Sequence, residues 1–211
     1  MPRPMSTLGR PGRVRIFGAA ALAAATAAAL SVSAAGRATA RQQVSAGCGS
    51  GARALQTLSD AERDAVRLRP TATTVAAINA LPRPRRTPST RTTEFQRRVW
   101  RVRAQIVEYK LEPDAAVHLV LYDGQRSYMT AVMPSPRCLP AEARARGAIE
   151  GARAFLEGLC GPARPSWRPL GAVVLIDGVG FWASPHGQHG HAQNYTELRP
   201  VTRVRLVAGC A

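Results

Sequence analysis

The sequence predicts a mainly β domain with one helix, in the order strand, strand, strand, helix, strand, strand, and a five-stranded OB-like barrel with an N-terminal extended and helical strap fits that order. Three observations lead there. Residues 99–112 alternate as a strand too long for one sheet and change parity halfway; one apolar helical stripe falls between the third and fourth strands; and 95–210 hold no second crossover helix. A ferredoxin-like sandwich, the runner-up, needs that second helix.

In VWRVRAQIVEYKLE, Trp100, Val102, Ala104 and Ile106 alternate with Arg101, Arg103 and Gln105, and then Val107, Tyr109 and Leu111 take the opposite parity. Such a switch marks a bulge that bends the strand. AVHLVLYD sets Val117, Leu119 and Leu121 against His118, Val120 and Tyr122, the turn DGQR follows, and SYMTAVMP is the third strand. The helix is expected to start near Pro140, to present Ala145, Ala148, Ile149, Ala152, Phe155, Leu156 and Leu159 as one stripe, and to stop at Gly161-Pro162. LGAVVLIDGVGFWA and PVTRVRLVA complete the set.

Three segments are expected: 1–40 a signal peptide, 41–94 a tail and linker, and 95–211 the β domain. Arg3, Arg10, Arg13 and Arg15 precede an unbroken run of small and apolar residues, and Ala38-Thr39-Ala40 offers a cleavage site. Once that segment is removed, no transmembrane span is expected in the mature chain. Within 41–94, Ser59 and Glu62 form a capping-box pattern before DAERDAVRL, and TTVAAINAL has helical spacing. LPRPRRTPSTRTT, with three prolines and four arginines, reads as an extended strap.

Export implies an oxidising compartment, where Cys48, Cys138, Cys160 and Cys210 are expected as two disulfides, with all three pairings open. No pair has the close spacing of structural zinc ligands. The basic charge is carried almost wholly by arginine. Without the five arginines before residue 41, 24 basic residues face 13 acidic ones, a formal +11. That surface suits anionic partners, nucleic acid or another anionic polymer.

On an OB barrel, ligands sit on the second and third strands and the adjoining loops. The candidate ligand-binding residues are therefore Tyr122, Tyr128, Arg126, Tyr195 and Arg199, since rings among cations suit stacked bases and phosphates. His186, His189 and His191, spaced H-x2-H-x-H, are the candidate metal ligands. Their two intervening glycines and the lack of acids on the third strand argue against a metal-dependent nuclease, and there is no nucleophile signature of the G-x-S-x-G type. No cofactor is expected. The leading expectation is a binding or accessory module; the alternatives are a metal-assisted phosphodiesterase using His186, His189, His191 and Glu197, and a structural envelope protein.

EYKLEPDAAVHLVLYDG, MPSPRC, DGVGFWASPHGQHG and AQNYTELRPV, with RPTATTVAAINALPRP upstream, resemble a group of uncharacterised exported bacterial proteins with a small OB-like β domain. The likeness covers residues 70–207. It implies no activity, substrate or cofactor. His118, His186, Gly187, Gly190, Asn194, Glu197 and Pro200 match the group's pattern, whereas His189 and His191 do not, and Arg199 stands where the group has His. A polar, glycine-containing loop between two apolar strands leads to the expectation that His186, Asn194 and Glu197 form a loop latch, with Asn194 and Glu197 bonded to loop amides and His186 against the carboxylate. The group's cysteine positions imply the pairs Cys48–Cys138 and Cys160–Cys210.

Overall fold

The computed structural model describes residues 47–48 and 52–210. The expected signal segment lies outside them. The chain is mainly β, with six strands and three helices among the described residues. The strands are β1 Arg67–Ala72, β2 Arg98–Leu111, β3 Val117–Tyr122, β4 Tyr128–Met133, β5 Arg168–Trp182 and β6 Thr196–Ala208; the helices are α1 Arg53–Gln56, α2 Val75–Asn79 and α3 Arg146–Cys160.

The long strand β2 organises the rest. Its register slips between Ile106 and Glu108, where the sequence changes parity, so that Val102, Ala104 and Ile106 and then Tyr109 are all buried. One edge of β2 pairs antiparallel with β5 over 99–109, while the other takes β3 over 105–111. β3 continues to β4, β4 runs parallel beside β6, and β6 returns to β5, so five strands pair in a closed circuit. Inside it lie Val102, Ile106, Leu119, Leu121, Met129 and Ile176 among others.

Helix α3 begins six residues later than the sequence suggests. Residues 140–145 are drawn instead onto the N-terminal segment, where the Arg144 amide donates to Leu58 O (2.8 Å) and its guanidinium to Arg63 O and Val66 O. Ala145, in the left-handed region at φ 59°, turns the chain into the helix. Ile149, Ala152 and Leu156 are buried, while Phe155 and Leu159 face outward, so the buried stripe is narrower than expected. Gly161, at φ 83°, ends the helix.

The segment expected as a strap contributes more than a strap. RLRPTA forms the sixth strand, parallel to the start of β2, where five strands were expected. DAERDAVRL makes only a short 3-10 turn at Arg63–Ala65, without Ser59 as its cap: Asp60 Oδ1 accepts the Glu62 amide, and the Glu62 carboxylate accepts the amide of Arg91. TTVAAINAL does form a helix, with the Thr74 hydroxyl accepting the Ala77 amide and Val75 and Ile78 buried. Arg91, 0 % exposed, is the pin of this region: it donates from Nε and Nη2 to Asp60, from Nη2 to Leu55 O and from Nη1 to Gln96 O. Both disulfides pair as the resemblance implies, Cys48 with Cys138 and Cys160 with Cys210. The first holds the N-terminal segment to the turn after β4; the second joins the end of α3 to the end of β6. Among the described residues no helix is long and apolar enough to cross a membrane.

Candidate functional site

Alternate positions on a strand share a face. Because Val117, Leu119 and Leu121 point into the core, β3 turns His118 and Val120 outward; by the same rule β4 turns out Thr130 and Val132, and β6 turns out Glu197 and Arg199. Register aligns these positions: Val120 pairs with Thr130 and Thr130 with Glu197, while His118 pairs with Val132. All six are nonetheless sheltered, because the loop over 183–195 folds across them. Gly190, at φ 73°, brings its backbone so close that a Cβ there would stand 2.3 Å from a Val120 methyl. Asn194 moors the loop: its amide donates to Ile78 O (2.9 Å) and Leu81 O (3.1 Å) on and after α2, and its carbonyl accepts from the amide and hydroxyl of Thr196.

Between the loop, the N-terminal segment and the sheet lies a cleft of about 590 Å³ lined by His118, His186, Glu197, Arg199, Glu112 and Trp182, among others. Glu197 is 3 % exposed; its Oε1 accepts from the Thr130 hydroxyl (3.2 Å) and lies 3.5 Å from His186 Nε2, and its Oε2 is 3.8 Å from Arg199 Nη1. Burial pushes the Glu197 carboxyl upward, but the neighbouring His186 ring and the charges of Arg199 and His118 outweigh it and hold the group below its ordinary range. Burial lowers the Arg199 guanidinium, opposed by Glu197, Asp114 and Glu112. Across the cleft, His118 Nδ1 lies 3.2 Å from Glu112 Oε1, which also meets Lys110 Nζ at 3.1 Å and accepts from Gln188 (2.8 Å). The His118 hydrogen bond, with help from Lys110, holds the Glu112 carboxyl down at about 2 against the burial that would raise it.

The five ligand candidates from the sequence occupy three places. Tyr122 and Tyr128 stack on each other at the turn end of the β3–β4 hairpin, ring centroids 4.6 Å apart, and the Tyr122 hydroxyl donates to Gln125 O. Arg126 sits in the same turn, where Asp123 accepts three backbone amides. Tyr195 is in the loop, sandwiched between the His191 ring (4.9 Å) and the Arg83 guanidinium (4.6 Å). Only Arg199 lines the cleft.

The three loop histidines turn to different partners. His186 faces Glu197, His189 meets Glu108 beside Trp167, and His191 bonds Gln188 O and stacks on Tyr195. Among the described residues no group of three or more His, Cys, Asp or Glu is arranged to hold a metal ion. The latch differs from the expected one at Glu197, whose side-chain partners are Thr130, His186 and Arg199 rather than loop amides, because its strand aims it across the sheet.

Another sector of the sheet carries charge without balance. Arg101 on β2 pairs with Asp177 on β5, which pairs with Arg203 on β6; two residues along, Arg103 pairs with Leu175 and Leu175 with Arg205. Asp177, 2 % exposed, takes Arg101 in a two-pronged grip, Nε to Oδ1 and Nη2 to Oδ2, both 2.7 Å, which raises the Arg101 guanidinium further. Arg103, Arg203 and Arg205 are exposed and have no ion-pair partner among the described residues.

Sequence reasoning placed Arg101 and Arg103 outward on β2 but missed the partnership of His118 with Glu112 and the meeting of the two arginine pairs. The signal for His118 was its parity on β3; the rows needed the register. Comparison with protein-family models, with curated proteins and with solved structures finds no match to this chain.

Proposed function

We propose that the protein is an exported binding module that holds an anionic polymer on the outer face of β2, β5 and β6. The observation that carries this is the pair of arginine rows, Arg101 with Arg203 and Arg103 with Arg205, set around the single buried carboxylate of Asp177. Guanidinium groups match sulfate, carboxylate and phosphate with paired donors, and rows spaced by about 7 Å along a strand meet successive charges of an extended chain. The closed circuit of five strands, with a parallel β4–β6 pair and α3 between β4 and β5, supports an OB-like barrel as the scaffold. The leader-like residues 1–40, two disulfides and the resemblance to exported proteins support export. Since Tyr122 and Tyr128 already stack on each other, charge rather than base stacking is the recognition expected.

Binding of the oxidised protein to heparin and to single-stranded DNA across a salt series tests this. Both affinities should fall steeply with salt, by about 0.7 log units per log unit of salt for each contacted phosphate of a single strand. The Arg203→Ala/Arg205→Ala variant should bind both polymers more weakly and lower that slope by roughly 1.4. A variant with an unchanged slope, or a larger loss from Tyr122→Ala than from the arginine pair, would remove the reading.

A further inference from the structure

The cleft beneath the 183–195 loop holds polar atoms that the protein leaves without hydrogen bonds. They are Glu197 Oε2, Arg199 Nε, His118 Nε2 and both ring nitrogens of His186. Glu197 and His118 are 3 % and 5 % exposed, so bulk solvent does not bathe them. Buried polar groups are nearly always bonded, because an unmet one destabilises the fold. Five such atoms gathered at one concavity point to a partner from outside the chain. His186 and Arg199 are less deeply covered than the other two and form the way in.

Charge selects the class of that partner. Glu112, Asp114 and Glu197 are opposed by Arg199 and Lys110, so the cleft is close to electrical balance, unlike the arginine rows. An anion gains little there. Glu197 can only accept and Arg199 can only donate, and they face the ligand side by side, with Oε2 and Nη1 3.8 Å apart. A hydroxyl both donates and accepts, so two neighbouring hydroxyls on one ring answer both groups, and they also bond either histidine in either tautomer. Phe181, Val132 and Pro113 supply apolar wall for the C–H faces of such a ring, and about 590 Å³ lies within the usual range for small-ligand sites.

We propose that this cleft binds a neutral sugar, gripped through adjacent hydroxyls by Glu197 and Arg199 and ringed by His118 and His186. The site is separate from the arginine rows, so Arg203→Ala/Arg205→Ala leaves it intact.

The test is a titration of the oxidised protein at physiological salt with maltose, cellobiose and N,N′-diacetylchitobiose, following the ring resonances of the histidines by NMR. At least one of the three should move His118 and His186 together and saturably, with Tyr122→Ala binding equally well. Glu197→Gln, which keeps an acceptor for Thr130, should weaken that binding roughly tenfold or more, as loss of a hydrogen bond to a charged group does. His186→Gln, at a partly exposed position, should weaken it also while the melting temperature holds, which separates a binding role from a folding one. No movement at about 10 mM of any of the three sugars, where a millimolar binder is mostly saturated, overturns the proposal. So does tighter binding of glucuronate, inorganic phosphate or a glycine dipeptide, which would make the site one for anions or amides.

Discussion

At Glu112, one carboxylate gathers His118, Lys110 and Gln188 at the rim of the cleft. Its carboxyl is held at about 2, against an ordinary 4.5. A carboxyl depressed by folding stabilises the native state above the unfolded pKa, and that stabilisation is lost as pH falls through the folded one. Acid unfolding should therefore draw on this group between about pH 4.5 and 2. Glu112→Gln should flatten the decline of stability over that window and leave the neutral-to-alkaline side with little pH dependence from this site; urea denaturation at stepped pH measures it. An unchanged acid limb would mean that the His118 contact contributes nothing to folding. Such pairings were hidden in the sequence. His118 was visible as an outward position, but its carboxylate lies past the end of β2, brought near by the antiparallel register of β2 and β3. Arg91 was less visible still. It sits in a proline- and arginine-rich stretch that reads as solvated, and its partner Asp60 is 31 residues away.

Elements differ in how plainly they announced themselves. The bulge in β2 was legible because apolar parity records which face is buried, and β3, β4 and α2 followed from alternation and helical spacing. Strand β1 was not legible: RLRPTA has no alternation, it contains Pro70, and its strand geometry comes from pairing with β2. The onset of α3 was missed for a related reason, since the contacts that hold 140–145 out of the helix come from Leu58, Arg63 and Val66. The loop over the cleft was legible as polar and glycine-containing, but its mooring to α2 was not. Asn194 makes that mooring with two hydrogen bonds and accepts two more from Thr196, so Asn194→Ala should cost about 2–4 kcal/mol and expose 184–193 to limited proteolysis. Asn194→Asp keeps the acceptor for Thr196 but faces two carbonyls with a negative charge, and should be no better. Protease resistance equal to the parent's in both variants would show the loop held elsewhere.

For the whole molecule, the disulfides decide how much of the chain acts as one unit. Cys48 and Cys138 lie 90 residues apart in sequence, so their bond joins the N-terminal segment to the strands through a long loop. On the chain-entropy argument, the Cys48→Ser/Cys138→Ser variant should lose about 4–5 kcal/mol of unfolding free energy, read from non-reducing denaturation curves. A loss under about 1 kcal/mol would mean that Arg91 and the buried Leu55, Leu58 and Val66 hold the segment without it. The pairing of cysteines was available only through a resemblance; spacing alone left it open. The arginine rows are likewise a property of the assembled sheet, because β2 and β6 bring their pairs from stretches about a hundred residues apart and only β5 between them sets the register.

Strand pairing also governs how copies of the protein meet. Among the described residues every strand of the circuit has a neighbour on each side, and β1, beside the start of β2, presents an unpaired edge. That edge carries Pro70, which has no amide to offer, between Arg69 and Thr71, with Arg67 nearby. Two molecules approaching edge to edge would find a missing donor and facing positive charges, the arrangement by which sheets avoid templating one another. The strand that sequence alone did not reveal is thus the one that keeps a basic, β-rich protein from growing into fibres at high local concentration.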